Sequence, residues 1–264
     1  MPMHQAEAMW VYFESSSWGA SYPFAVKIAT GKIDAVSGGE WSAHLNRDPQ
    51  DYVVIPEQPW LDGYCVKKGV IRQFVAMPLG EGYSVEEQIT GVGEHGGIQI
   101  IVYPMKADCY EKLREAEKRR EEPSEHLQMR MSVDPDMGLA PGGRMKQEIY
   151  DDPYGLDAWD QRHSSRCFIT IANSVAWAAI TDERPPTTPP TAADYTKAGL
   201  PWFDYYGGDA KALEGTSVLA NLKSVMKLGG QKGQTPLPEN ESVDVERIIA
   251  LRKKGSQEVR EAAF

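Results

Sequence analysis

The chain has 264 residues, a formal net charge of −10, and 41% hydrophobic and 25% charged residues, the balance of an ordinary folded protein with enough length to bury a core in one large domain or two small ones. So much negative charge argues against a nucleic-acid backbone or an anionic membrane as the main partner, because both would repel it. No apolar run approaches the roughly 20 residues that cross a bilayer.

The N-terminal stretch lacks the basic and continuous apolar regions of a signal peptide. Three scattered cysteines, Cys65, Cys109 and Cys167, do not make a disulfide framework. A reduced, cytoplasmic protein is expected, and self-association is left open. In chain order, "MWVYF", "FAVKIA", "YVVIP", "YCVKKGVIRQFVAM" and "IQIIVYPM" are short β-rich runs between Gly, Pro and Asn/Asp turns. Residues 62–77 read as a hairpin about Lys68-Gly69. Ser84 and Glu87 form a capping-box pattern that predicts a short helix ended by Gly91.

From Lys106 to Glu122 the composition becomes strongly helix-forming and mixes both charge signs, which predicts an exposed polar helix stopped by Pro123. "HLQMRMSV", "RMKQEIY" (Arg144 to Tyr150) and "RCFITIA" read as strands, and "NSVAWAAIT" as a buried helix capped by Asn173 or Ser174. Thr191 caps a further short helix. Val218, Leu219, Leu222, Val225 and Met226 predict one amphipathic helix closed by Gly229. The class expected is α+β: a mainly antiparallel, β-sandwich-like N-terminal half (residues 1–105) and a mixed α/β C-terminal half (106–264), compatible with one continuous domain.

Motif-like stretches fail on structural context. "GVGEHGG" (91–97) has the glycine spacing of a dinucleotide loop, but a short helix precedes it and a strand follows, the reverse of what pyrophosphate binding needs. It reads as a turn. "GLAPGGRM" lacks the lysine and hydroxyl of a phosphate loop, so no cofactor is expected. Asp134, Asp136, Asp151 and Asp152 offer hard-cation ligands, although aspartates also populate turns for local reasons. His163 and Cys167 do not make a zinc pattern, and pairing Cys65 or Cys109 with His95 has no sequential support.

The aromatic–carboxylate loops carry more information. "EQPWLDGY", "YGLDAWD" and "GLPWFDYYGGD" set Trp beside Asp. Trp60, Asp62, Trp159, Asp160, Trp202, Asp204 and Tyr205 are therefore candidate ligand contacts, suited to sugar-like, cationic or proline-rich ligands. The alternative is that Trp60, Trp159 and Trp202 anchor their loops to the core.

Long phrases, "DPQDYVVIPEQPWLDGYCVKKGVIRQFVAMPLGEGYSVEEQITG", "MGLAPGGRMKQEIYDDPYGLDAWD" and "PPTTPPTAADYTKAGLPWFDYYG", resemble segments of an uncharacterised family sometimes labelled integral membrane protein. The resemblance covers most of the chain. It implies no activity or catalytic residue, and the membrane label disagrees with a chain that shows no spanning run. The expectation is a non-catalytic ligand-binding or assembly protein. The alternative is a carboxylate-based hydrolase or lyase using Asp157 and Asp160, possibly with a divalent cation.

Overall fold

The computed structural model describes residues 1–5, 7–13, 22–120, 144–145, 147–186, 202–206, 213–233, 248–252 and 261–262; for 117–120, 144–145, 202–206, 226, 248–252 and 261–262 it describes the backbone alone. The first elements are β1 (Ala8–Met9), β2 (Val11–Tyr12), β3 (Phe24–Thr30), β4 (Ile33–Asp34), β5 (Val53–Ile55) and β6 (Trp60–Leu61). Next come β7 (Gly63–Lys67), β8 (Val70–Val75), α1 (Val85–Thr90), β9 (Ile98–Pro104) and α2 (Ala107–Arg120). After these come β10 (Arg144–Met145), a 3-10 turn (Leu156–Ala158), β11 (Ser165–Ile169), α3 (Ser174–Thr181) and β12 (Trp202–Tyr206). The last are α4 (Ser217–Ala220), α5 (Val225–Gln231), β13 (Ile248–Arg252) and β14 (Glu261–Ala262).

Strands and helices are both present, and the sheets are mostly antiparallel. β3 pairs with β9 along its full length, from Phe24 opposite Pro104 to Thr30 opposite Ile98. Its other edge takes β5 and β4, and β11 completes a five-stranded sheet beyond β9. A second sheet is built on β8, which pairs with β1, β7 and β10. The described exception to antiparallel pairing between named strands is β12 beside β13. The expected hairpin is β7–β8, turning at Lys68-Gly69.

The apolar run "FAVKIA" is explained by a strand with both faces covered. Val26 and Ile28 join Ile98 in a cluster shared with Cys65, Ile71 and Phe74 of the second sheet. Ala25, Ile101 and Tyr103 point the other way, into a cluster with Tyr52, Leu45 and Trp159. Each large apolar side chain buried this way contributes about 1.5–3 kcal/mol of transfer free energy. Lys27 interrupts the run and is fully buried. Its ammonium donates to Ser42 Oγ (3.1 Å), His44 O (2.9 Å) and Asp51 Oδ2 (2.5 Å), so each of its three protons has an acceptor.

Four expectations are corrected. Arg144 to Tyr150 is not one strand: the ladder ends at Met145, and residues 147–152 are held instead by glutamine side chains. Gln58 Nε2 donates to Glu148 O and its Oε1 accepts Tyr150 N; Gln50 Nε2 donates to Tyr150 O and its Oε1 accepts Asp152 N. Gln147 Oε1 accepts Asp62 N. These amides reproduce the donor–acceptor pattern of a missing strand.

α3 has the expected Asn173 cap, but none of its residues is buried, and Val175 and Ile180 are 78% and 77% exposed. The single amphipathic helix near residue 220 is two helices, capped by Thr216 and Ser224. Gln88 grips the backbone of Lys223 from both sides, accepting its N–H and donating to its carbonyl, and this takes the intervening turn out of helix. α2 is not wholly exposed, because Cys109, Tyr110 and Leu113 pack against the second cluster. The "HLQMRMSV" strand, the "APGG" turn and the Thr191 helix lie outside the described residues.

Candidate functional site

The two larger sheets, together with α1, α3 and the N-terminal segment, line a half-open cavity of about 950 Å³. Ile28 and Ile98 come to it from the five-stranded sheet, Gln73 and Phe74 from β8, and Val175 and Ala176 from α3. The lining is mainly apolar, and Leu79, Phe168, Val175 and Ile180 are exposed at the same cavity. Its size is that of a small-molecule site.

One wall follows from local sequence rules. The Ser84–Glu87 capping box starts α1, and Gly91, in left-handed conformation, ends it. This brings Glu86 beneath the turn at 95–97. Glu86, only 4% exposed, accepts the backbone N–H of His95 (3.1 Å) and of Gly96 (3.0 Å), and pairs with His95 Nδ1 at 2.8 Å. Burial alone would raise the Glu86 carboxyl, but the donors from Gly96 and His95 outweigh it and hold the group below the usual carboxylate range. The glycine-rich turn is thus an anion nest filled by the protein's own carboxylate.

Gly31 makes room for this arrangement, since a Cβ there would lie 2.3 Å from Glu86 Oε2. Beyond the Gly31–Glu86–His95 wall is a second cavity of about 390 Å³, lined also by Lys32, Glu40 and Glu94.

Thr30, Tyr64, Gln73 and His4 are among the residues that line the main cavity. Tyr64 and Thr30 share a hydroxyl–hydroxyl hydrogen bond of 2.7 Å, and burial pushes the Tyr64 phenol up to about 12, against that bond. Gln73 Oε1 and His4 Nε2 are buried and have no hydrogen-bond partner among the described residues. A buried polar atom without a partner costs about 1–3 kcal/mol.

The residues expected from the sequence lie elsewhere, and none of Trp60, Asp62, Trp159 and Asp160 lines either cavity. Trp60 is half-buried and donates to Asp62 Oδ2, which Gln147 also contacts. Trp159 is 1% exposed, a member of the second core cluster, and donates to Asp152 Oδ2. Asp160 pairs with the exposed His163 at 2.8 Å and with Arg162, and these contacts lower its carboxyl, the His163 hydrogen bond most. Asp157 lies on the 3-10 turn, and its carbonyl accepts from Lys106.

Asp152 is buried, and its carboxylate is occupied by Tyr52, Trp159 and the Tyr154 N–H, with Arg47 3.7 Å away. Asp151 lies 3.8 Å from Arg47. Trp202, Asp204 and Tyr205 fall on β12, described as backbone alone. Asp134 and Asp136 lie outside the described residues. Among the described residues no group of three or more His, Cys, Asp or Glu side chains is gathered to hold a metal ion, and no helix is long and apolar enough to cross a membrane. Cys65 is a core residue whose thiol burial pushes up to about 12.

His4, Gln73 and Glu86 were missed by sequence reasoning. The one available signal was at Glu86, where a capping box followed by a glycine-rich turn places an acidic residue under free backbone amides. Comparison with known proteins found no matching family model, no matching curated protein and no matching solved structure.

Proposed function

We propose that the protein is a non-catalytic binding protein that holds a small, mainly apolar molecule between two facing sheets of a sandwich-like body, in a reducing, cytoplasmic setting. The observation that carries this reading is the cavity of about 950 Å³ with its mainly apolar lining. A further support is negative chemistry at the one acid among the described residues of its wall: the Glu86 oxygens are taken up by N–H donors, and the Ser84 hydroxyl is used by its capping box. Neither group is free to act as base or nucleophile. The free thiols Cys65, Cys109 and Cys167 suit a reducing compartment.

The test is saturable uptake of N-phenyl-1-naphthylamine, whose emission rises in apolar surroundings. Ala176→Trp, which fills the cavity from α3, is expected to weaken uptake at least about tenfold, a change of about 1.4 kcal/mol. Glu111→Trp on the exposed side of α2 is expected to leave uptake unchanged. Equal uptake by both variants at unchanged melting temperature would sink the reading.

A further inference from the structure

We propose that the protein forms a symmetric dimer through the outer edge of β11, where the β11 strands of two copies pair antiparallel and join their five-stranded sheets into one. β11 ends that sheet, and among the described residues no strand lies on its far side. Ser165 to Phe168 are exposed and Ile169 is half-buried, whereas the other strands of the sheet are buried or half-buried throughout. An open edge of this kind is a template for another strand. Which of its backbone groups point outward follows from alternation. Gly31 N donates to Gly97 O and Met105 N to Pro23 O, at the two ends of the unbroken β3–β9 ladder, so the odd-numbered residues of β9 bond to β3. Its even-numbered residues therefore bond to β11, through Ser165, Cys167 and Ile169. The N–H and C=O groups of Arg166 and Phe168 are left pointing away from the sheet. Thr170 and Ala172, the next even-numbered residues, likewise bond to Met1 and Met3 and not to β9.

A second copy of the same strand is complementary to this edge in one register. Arg166 of each copy lies opposite Phe168 of the other, so that all the outward backbone groups are bonded. Each guanidinium then neighbours a phenyl ring, a favourable cation–π pair. A shift of the register one way sets Arg166 against Arg166, a like-charge pair. A shift the other way calls on Thr170 O, which is already taken by the Met1 ammonium. In the favoured register Cys167, a free and exposed thiol, faces Cys167 of the second copy in a non-hydrogen-bonded pair. The Cα atoms of such a pair lie about 4.5 Å apart, inside the span of about 4.4–6.8 Å that a disulfide bridges. The thiols report the register; the association does not depend on a bond between them.

The experiment is sedimentation equilibrium of the full chain with reductant. Salt at about 0.15 M screens the charge of −10 on each copy beyond about 8 Å. The mass is expected to rise from one chain toward two between about 1 and about 100 μM, as suits a small interface. Cys167→Lys and Cys167→Glu each set like charges opposite one another and should stay single; mixed in equal amounts, the two variants should pair again. Arg166→Pro removes an outward N–H and no bond to β9, and should weaken association at least about tenfold. Without reductant, diamide takes the two hydrogens of a facing thiol pair and is reduced to the hydrazine. The parent chain should then become a covalent dimer linked through Cys167. A single mass at every concentration would overturn the proposal and leave the edge to a strand of another protein. A dimer kept by both charged variants, a mixture of them that stays single, or a covalent dimer linked through Cys109 would overturn it as well. The lysine–glutamate comparison alters only an exposed side chain, so it decides the matter even where the proline variant does not fold.

Discussion

The carboxylate of Asp34 is buried, and its two oxygens fare differently. Oδ1 accepts Val36 N (3.0 Å), Ser37 N (2.7 Å) and the Ser37 hydroxyl (2.9 Å), whereas Oδ2 has no partner among the described residues. Burial, opposed by the Ser37 amide and assisted by the charge of Asp51, pushes this carboxyl up to about 7. An unfolded chain releases the same proton near pH 4, at about 3.9. Between those values the folded state keeps a proton that the unfolded state has lost. Stability therefore falls as pH rises from about 4 to about 7 and levels beyond. Asp34→Asn keeps an acceptor at Oδ1 and removes the titration. Urea melts should show the variant gaining on its parent between about pH 4.5 and pH 8. A difference that stays constant over that range would show that Asp34 does not titrate there.

Among the elements, the segment 147–152 depends on side chains where a strand would use backbone. Gln50→Leu removes one amide and leaves the carbonyls of Tyr52 and Tyr150 and the N–H of Asp152 to find other partners. The expected cost is about 3 kcal/mol in chemical denaturation, the sum of several unmade buried hydrogen bonds. A loss under about 0.5 kcal/mol, the level of an ordinary surface substitution, would show that the amide contributes no such pairing.

This contrast also marks what the sequence makes legible. The β7–β8 hairpin, the Ser84 capping box, the Gly91 stop and the Asn173 cap were all readable, because each is settled by residues a few places apart. The break between α4 and α5 was not, because it is imposed by Gln88 from far along the chain. The strand reading of Arg144 to Tyr150 failed for the same reason: the alternation was real, but its hydrogen-bond partners are the glutamines at 50 and 58.

For the whole molecule, the decisive fact is that the five-stranded sheet is covered on both faces. The cavity lies on the face of Ile28 and Ile98, and Trp159 is packed into the cluster on the other. Trp159→Ala is therefore expected to cost about 3–5 kcal/mol of folding stability and, below its melting temperature, to leave dye uptake unchanged. A variant that melts normally but binds no dye would place the ligand at the tryptophan instead. The cavity itself was hidden from sequence reasoning because the residues that line it are the residue types that fill a core. Tryptophan beside aspartate, by contrast, is conspicuous in a sequence whether it grips a ligand or anchors a loop.

The amide rungs at Gln50, Gln58 and Gln147 have a consequence for how this fold can change over generations. Backbone pairing tolerates nearly any substitution, since every residue but proline carries the same donor and acceptor. Side-chain pairing does not. The alignment of segments that lie 85 to 102 positions apart along the chain is here written in three codons, and a single inherited replacement at any of them edits it directly.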